Sequence, residues 1–176
     1  YHFAHIVDDH LMGTTHVVRG DEWLSSLPLH IQLFEAMGWK APKYGHIAPI
    51  QKLDEGARRK LSKRKDPEAN VAFYGEKGYP KEAVIDYLMN LANSDFEDYK
   101  KANPNKTYKD FEFKISKLNN SGPLLDFVKL EDISKEFIAT LSCDELYDRL
   151  YQWAAKYDRE MQNRLDANGG YFKQIL

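Results

Sequence analysis

Lys60-Leu61-Ser62-Lys63-Arg64-Lys65 closes a stretch, Lys52 to Lys65, in which seven basic residues stand against two acidic ones, in a chain of formal net charge -2. Positive charge is concentrated there, and ammonium groups on a mobile loop suit a polyphosphate. An isolated Lys/Arg-rich hexapeptide is more often a solvated surface loop, so the surrounding residues must decide. Arg19 ends a β-branched run, His16-Val17-Val18-Arg19, where a planar, permanently charged guanidinium can grip a carboxylate with two parallel hydrogen bonds. The competing role is a structural salt bridge at a strand end. All six histidines fall within the first 46 residues. Helical spacing brings His2, His5 and Asp9 toward one face, a two-histidine-one-carboxylate composition. No ordered metal-binding motif is completed around them, so no protein-bound transition metal is expected.

These residues need elements to hold them. The run His16 to Arg19 after Gly13-Thr14 predicts a buried strand with a polar carboxyl end. Pro28 fits the first turn of a helix capped by Ser25 or Ser26, with Ile31, Phe34 and Met37 at helical spacing and Gly38 as the stop. His46-Ile47-Ala48-Pro49-Ile50 predicts a second strand, whose Pro49 marks an end or an edge. Gln51 to Arg59 then reads as a charged loop. Strand, helix, strand and loop make a doubly wound α/β pattern, in which ligands gather beyond the carboxyl ends of the strands.

Beyond the loop the chain changes character, with a boundary near Arg64 to Asn70. Pro80 opens a helix to about residue 92, carrying Val84, Ile85, Leu88, Leu91 and Ala92 on one face. Ser94 to Lys109 is polar, turns at Asn103-Pro104-Asn105, and reads as a surface insertion. After a second break at Asn119 to Pro123, Leu130, Ile133, Phe137, Ile138 and Leu141 have helical spacing. Ser142 and Glu145 form a capping box ahead of an amphipathic helix marked by Leu146, Leu150, Ala154 and Tyr157. Tyr147, Tyr151, Trp153 and Tyr157 are expected to pack rather than to stack on bases. The fold class is therefore α/β followed by mainly α.

Composition sets outer bounds. With 43% hydrophobic and 30% charged residues the chain is an ordinary globular one. No apolar run approaches the roughly 20 residues that span a bilayer, and no signal peptide precedes Tyr1, so a cytoplasmic setting is expected. Cys143, the single cysteine, excludes an internal disulfide and a multi-cysteine zinc site. A sequence pI near 6.3 disfavours a dedicated basic nucleic-acid-binding domain but allows local basic patches that meet RNA.

Lys60-Leu61-Ser62-Lys63-Arg64 resembles the Lys-Met-Ser-Lys-Ser signature loop of class I aminoacyl-tRNA synthetases, in the form typical of bacterial glutamyl-tRNA synthetases. Two further stretches precede it in family order: Tyr1-His2-Phe3-Ala4-His5-Ile6-Val7-Asp8-Asp9-His10 and Thr15-His16-Val17-Val18-Arg19-Gly20-Asp21-Glu22-Trp23-Leu24-Ser25-Ser26. The resemblance is close from Tyr1 to about Leu91 and again around Phe113 to Leu141, and thin elsewhere. It implies the second half of a Rossmann-like catalytic domain over 1–67. A stem-contact helical region over 68–141 would follow, with an insertion near 94–112, and then the start of a helical anticodon-binding region over 142–176.

The same resemblance assigns Tyr1, His5, Arg19 and Trp23 to a glutamate pocket. His5 departs from the asparagine of many relatives. Glu22 matches a position near the ATP ribose, and Pro49 and Ile50 match residues whose backbone meets the adenine. Lys60, Leu61, Ser62 and Lys63 match the ATP-phosphate loop, with Lys60 and Lys63 as the catalytic ammonium groups. ATP would arrive with Mg2+. The implied reaction joins L-glutamate to ATP as glutamyl-adenylate and passes the glutamyl group to tRNA-Glu, with tRNA-Gln a second candidate, in a monomer.

Gly45-His46-Ile47 resembles only superficially the earlier His-x-Gly-His type motif of class I enzymes and lies on the wrong side of Arg19. The chain is therefore expected to be a fragment, inactive alone. Glutaminyl-tRNA synthetase and a tRNA-binding module without catalysis are the alternatives. A paralogue acting on a modified tRNA base is disfavoured by the intact lysine-rich loop.

Overall fold

A computed structural model describes residues 1–175. In chain order its elements are α1 (His2–Leu11), β1 (His16–Gly20), α2 (Leu27–Ala36), β2 (Lys43–Ile47), β3 (Gln51–Asp54), β4 (Ala57–Lys60), α3 (Val71–Glu76), α4 (Lys81–Ala92), α5 (Phe96–Ala102), α6 (Phe127–Ile138), α7 (Cys143–Tyr157) and α8 (Arg159–Ile175). They form two compact units that alternate along the chain. One comprises Tyr1–Lys60 with Asn90–Leu125, the other Leu61–Met89 with Asp126 onward.

The first unit is built on a β-α-β crossover. Strands β1 and β2 pair in parallel, with Arg19 opposite His46 and Gly20 opposite Ile47, and α2 makes the connection that parallel strands require. Pro28 sits in the first turn of α2, and Ser26 occupies the cap position without a side-chain cap hydrogen bond. Ile6 of α1 and His30 and Phe34 of α2 are fully buried. Gly45 of β2 has no room for a side chain: a Cβ there would lie 2.5 Å from Ile115 Cγ2 and 3.1 Å from Leu118 Cδ1.

Three expectations change. The strand expected to be buried, β1, is half exposed, because among the described residues it pairs with β2 alone. The second strand begins and ends earlier than His46 to Ile50: it stops at Ile47, and Pro49, which lacks an N–H, lies beyond its carboxyl end. The charged loop from Gln51 is an antiparallel hairpin, with Gln51 opposite Lys60 and Asp54 opposite Ala57. Glu55 and Gly56 turn it at φ of 49° and 83°, the doubly positive pair of a type I′ turn. Its strands carry no apolar alternation, so sequence pattern could not reveal it. Its base is tied to the chain at Pro123 to Leu125 through Gln51, whose N–H donates to Pro123 O at 2.9 Å and whose carbonyl accepts from Leu125 N at 2.7 Å.

The polar segment read as a surface insertion has a packed centre. Phe96 is fully buried, and its ring, with those of Tyr99 and Phe111, forms a cluster of centroids 5.0 to 6.1 Å apart. Thr107 and Asp110 close a capping box on a short 3-10 turn.

In the second unit α4 matches its expected span closely, α6 carries Leu130 to Ile138 but ends before Leu141, and the Ser142–Glu145 capping box opens α7 as expected. Ala83, Tyr87, Leu130, Ala154 and Leu165 are buried, and the Tyr87 hydroxyl accepts from Asp126 N at 2.6 Å. Arg149 grips both carboxylate oxygens of Glu82 at 3.1 and 3.0 Å. Tyr157 is exposed, while the other three aromatics pack as expected: Trp153 Nε1 donates to Gly75 O at 3.0 Å, Tyr147 to Leu165 O at 3.2 Å and Tyr151 to Asp166 at 2.9 Å. Those last two bonds hold α8, which lies in the region that the resemblance implied to be helical but whose polar stretch has no apolar pattern of its own to mark it.

If residues 94–112 are an integral part of the first unit, Phe96→Ala will lower unfolding free energy by about 3 kcal/mol or more, as truncation of a buried phenylalanine does. Chemical denaturation measures this, and a loss below about 1 kcal/mol would restore the loose-insertion reading.

Candidate active site

Arg19 lies at the carboxyl end of β1, and the register with β2 sets His46 directly across from it. Each nitrogen of its guanidinium meets one neutral acceptor. Nε donates to His46 Nε2 at 3.2 Å, one terminal nitrogen to His30 Nδ1 at 3.1 Å, and the other to Trp23 O at 3.4 Å. The guanidinium carbon also stands 4.9 Å from the centroid of the Tyr44 ring, an attractive cation-π placement. Among the described residues no carboxylate pairs with Arg19. A half-buried cation whose partners among the described residues are neutral keeps the capacity to take an anion, which a structural salt bridge would have used up.

Around it the expected pocket residues assemble. Tyr1 stacks on Trp23 with centroids 5.3 Å apart and lies parallel to His5 at 6.3 Å. His5 Nε2 is 3.3 Å from Asp9 Oδ2, too poorly aligned for a hydrogen bond, so both atoms lack such a partner although they are enclosed. The three residues considered for metal chemistry therefore divide: His5 faces Asp9, while His2 Nδ1 turns to His30 Nε2 at 2.9 Å. Among the described residues no group of three or more His, Cys, Asp or Glu is arranged to hold a metal ion.

The sequence gives no site role to His30 or Tyr44, and names His46 only as the start of a predicted strand and within an unrelated motif. His30 and Phe34, at i and i+4, share the buried stripe of α2. A polar residue on an apolar stripe was the available signal. Burial, then the Arg19 charge, hold both His30 and His46 below the ordinary imidazole pKa, with His5 and His2 adding to the effect on His30. Burial and the Asp9 charge raise the Tyr44 phenol.

A second group lies at the end of the hairpin. Lys60 Nζ reaches Glu22 Oε1 at 2.5 Å, and this hydrogen bond holds the Glu22 carboxyl below its usual range. The carboxylate folds back over Gly20, where a Cβ would come within 2.0 Å of Glu22 Oε2. Two of the expected nucleotide residues are thus brought together. Pro49 and Ile50 follow β2 at its carboxyl end, where Ala48 N donates to Asn119 O at 3.2 Å.

Leu61, Ser62 and Lys63 belong to the second unit. There Ser62 N donates to Asp66 Oδ2 at 2.8 Å, and Ser62 O accepts from Lys65 N and Asp66 N at 3.1 and 2.9 Å. This tight turn leaves Lys63 exposed on the rim of a concavity of about 280 Å³ that Arg64, Lys65 and Asn70 also line.

The model of the family described as tRNA synthetases class I (E and Q), catalytic domain, matches residues 1–122. The whole chain is 50% identical to the glutamate–tRNA ligase of Clostridium perfringens (strain 13 / Type A) and 48% identical to that of Sorangium cellulosum (strain So ce56), spanning 32% and 33% of their lengths. Among solved structures, a glutamate tRNA ligase from Elizabethkingia meningosepticum in complex with its amino acid superposes with a TM-score of 0.70. That match has 29% identity and covers 94% of this chain and 36% of the other. A glutamate-tRNA synthetase from Elizabethkingia anophelis gives 0.69 at 27% identity, covering 96% of this chain and 40% of the other. The chain belongs to the class I tRNA synthetase family that serves glutamate and glutamine (E and Q), and carries part of its catalytic-domain fold. It spans about a third of the length of the curated relatives it matches.

Neutral His30 and His46 make a pH prediction. Both imidazoles have a folded-state pKa below the unfolded value of about 6.5, so the unfolded chain takes up protons first as pH falls. Their contribution to stability is complete above about pH 6.5 and is lost as pH drops through the folded values. Thermal melts are expected to move to lower temperature between about pH 7.5 and 5.5, and the double variant His30→Gln, His46→Gln is expected to flatten that slope.

Proposed function

We propose that the protein carrying this chain is a glutamate–tRNA ligase, in which these residues form one side of the amino-acid and ATP site. The observation that carries the reading is the half-buried Arg19 guanidinium, held by neutral acceptors at the carboxyl end of β1 and free of any carboxylate partner among the described residues. A cation so held will take a carboxylate of L-glutamate, while Tyr1 and Trp23, stacked beside it, shape the space for a small zwitterion. His5 adds an imidazole to the same wall.

In the reaction, a glutamate carboxylate oxygen attacks the α-phosphorus of ATP. The bond to the bridging oxygen breaks, pyrophosphate leaves, and glutamyl-adenylate remains. A terminal ribose hydroxyl of tRNA then attacks the acyl carbon and releases AMP. Negative charge grows on the departing pyrophosphate, and the ammonium groups of Lys60 and Lys63 stabilise that charge more than the ground state. Leu61 and Ser62 hold the phosphate loop against the nucleotide, Glu22 accepts from ribose hydroxyls, and the backbone at Pro49 and Ile50 meets the adenine.

The Lys60–Glu22 pair would open when ATP arrives, each partner exchanging the other for the nucleotide. Mg2+ would enter with the ATP phosphates, since among the described residues the acidic side chains form no cluster that could hold it. The partner is tRNA-Glu, with tRNA-Gln a second candidate, met by a monomer in the cytoplasm. Among the described residues no helix is long and apolar enough to cross a membrane. The functional segments are 1–67 for catalysis, 68–141 for the tRNA stem and 142–176 for the start of the anticodon-binding part.

Two substitutions in the complete ligase test the assignment. Lys63→Ala is expected to lower the rate of glutamate-dependent ATP-pyrophosphate exchange about 100-fold with little change in glutamate affinity. Arg19→Leu is expected to raise KM for glutamate by about 100-fold, the scale of a lost bidentate charge contact, with KM for ATP nearly constant. Loss of glutamate affinity in the Lys63 variant, or its retention in the Arg19 variant, would overturn the roles given.

A further inference from the structure

His30 is the one histidine of the cluster that solvent does not reach, and both of its ring nitrogens are engaged: Nδ1 with Arg19 at 3.1 Å and Nε2 with His2 Nδ1 at 2.9 Å. A guanidinium donates and never accepts. Nδ1 of His30 must therefore carry the lone pair, which puts the proton on Nε2 and makes His30 the donor to His2. By the same logic His46 accepts at Nε2 and keeps its proton on Nδ1. The permanent donor at Arg19 thus sets the tautomers of all three rings it reaches, directly or through His30.

Arginine has five N–H donors. Among the described residues three are taken by His46, His30 and the Trp23 carbonyl, which leaves one N–H on each terminal nitrogen, two donors for the two oxygens of a carboxylate. We propose that His30 is a positioning residue for Arg19: as a buried neutral acceptor it fixes the rotation of the guanidinium, so that both remaining N–H groups face the ligand while the positive charge stays uncompensated. An acidic residue at this place would hold the guanidinium equally well and cancel the charge that binds the ligand. An apolar one would preserve the charge and release the geometry. The titratable and charged groups around the ring are Arg19 from β1, His2, His5 and Asp9 from α1, and all but Arg19 and Asp9 are imidazoles.

The role rests on Arg19 as the glutamate-carboxylate receptor, and the test separates the two. In the complete ligase, ATP-pyrophosphate exchange is measured for His30→Leu, His30→Glu and His30→Gln beside Arg19→Leu, with thermal melts to verify folding. His30→Leu and His30→Glu are expected to raise KM for glutamate by about 10-fold or more, leaving KM for ATP unchanged. His30→Gln, whose amide offers an acceptor toward Arg19 and a donor toward His2, is expected to stay within about 3-fold of the parent.

A glutamine variant as impaired as the leucine one, or a leucine variant with unchanged KM for glutamate while Arg19→Leu is impaired, overturns the positioning role alone. An unimpaired Arg19→Leu overturns the carboxylate reading and the positioning role with it. Nitrogen-15 histidine spectra of the unsubstituted complete ligase add a readout independent of the variants. His30 should show a protonated Nε2 and a bare Nδ1, and the opposite tautomer would also overturn the role.

Discussion

The register of the parallel pair β1–β2 is the constraint on which the rest of the first unit depends. It sets Arg19 against His46, and with the crossover helix α2 placing His30 at the guanidinium, one cation is surrounded by neutral acceptors. A one-residue slip would carry Arg19 to the other face of its strand, because side chains alternate. Gly45 helps to fix that register from behind, since only a residue without a side chain lets Ile115 and Leu118 approach β2 so closely. Packing on one face of β2 thereby holds the chemistry on the other.

Enclosing a guanidinium without a counter-ion costs desolvation energy. Hydrogen bonds from all three nitrogens and the Tyr44 ring face offset part of that cost. What remains uncompensated is available to a ligand. The pressure falls on His30 and His46, whose imidazoles are held below the ordinary pKa by burial first and then by the like charge of Arg19. The Lys60–Glu22 pair is built on the opposite principle. Its side chains are about half exposed, at 56% and 48%, so the ion pair is well hydrated, weak and easily exchanged for another partner.

The second unit is held by local rules more than by a special register. Capping by Ser142 and Glu145 starts α7, and the bidentate Arg149–Glu82 pair and the Trp153 bond to Gly75 fasten it to α4 and α3. Tyr147, Tyr151 and Trp153 spend their polar hydrogens on carbonyls and a carboxylate inside the unit. That is the behaviour of packing residues.

The sequence by itself determined what depends on neighbours along the chain: the helices with a clear apolar stripe, the capping box, the concentration of charge before Lys65, and, through three ordered motifs, the family. Arg19, Glu22 and Lys60 were named from those motifs and are held in the paired arrangements described. What only the tertiary structure decided depends on distant partners. The hairpin of β3 and β4 has no apolar alternation to announce it, and the place of α8, implied to be helical only by the resemblance, is held by buried Leu165 and two tyrosine hydrogen bonds. Phe96 finds Phe111 only after the chain has turned. His30 and Tyr44 gained their roles in the same way, since a residue's character as acceptor or ring face matters only once a folded register has brought a guanidinium to it.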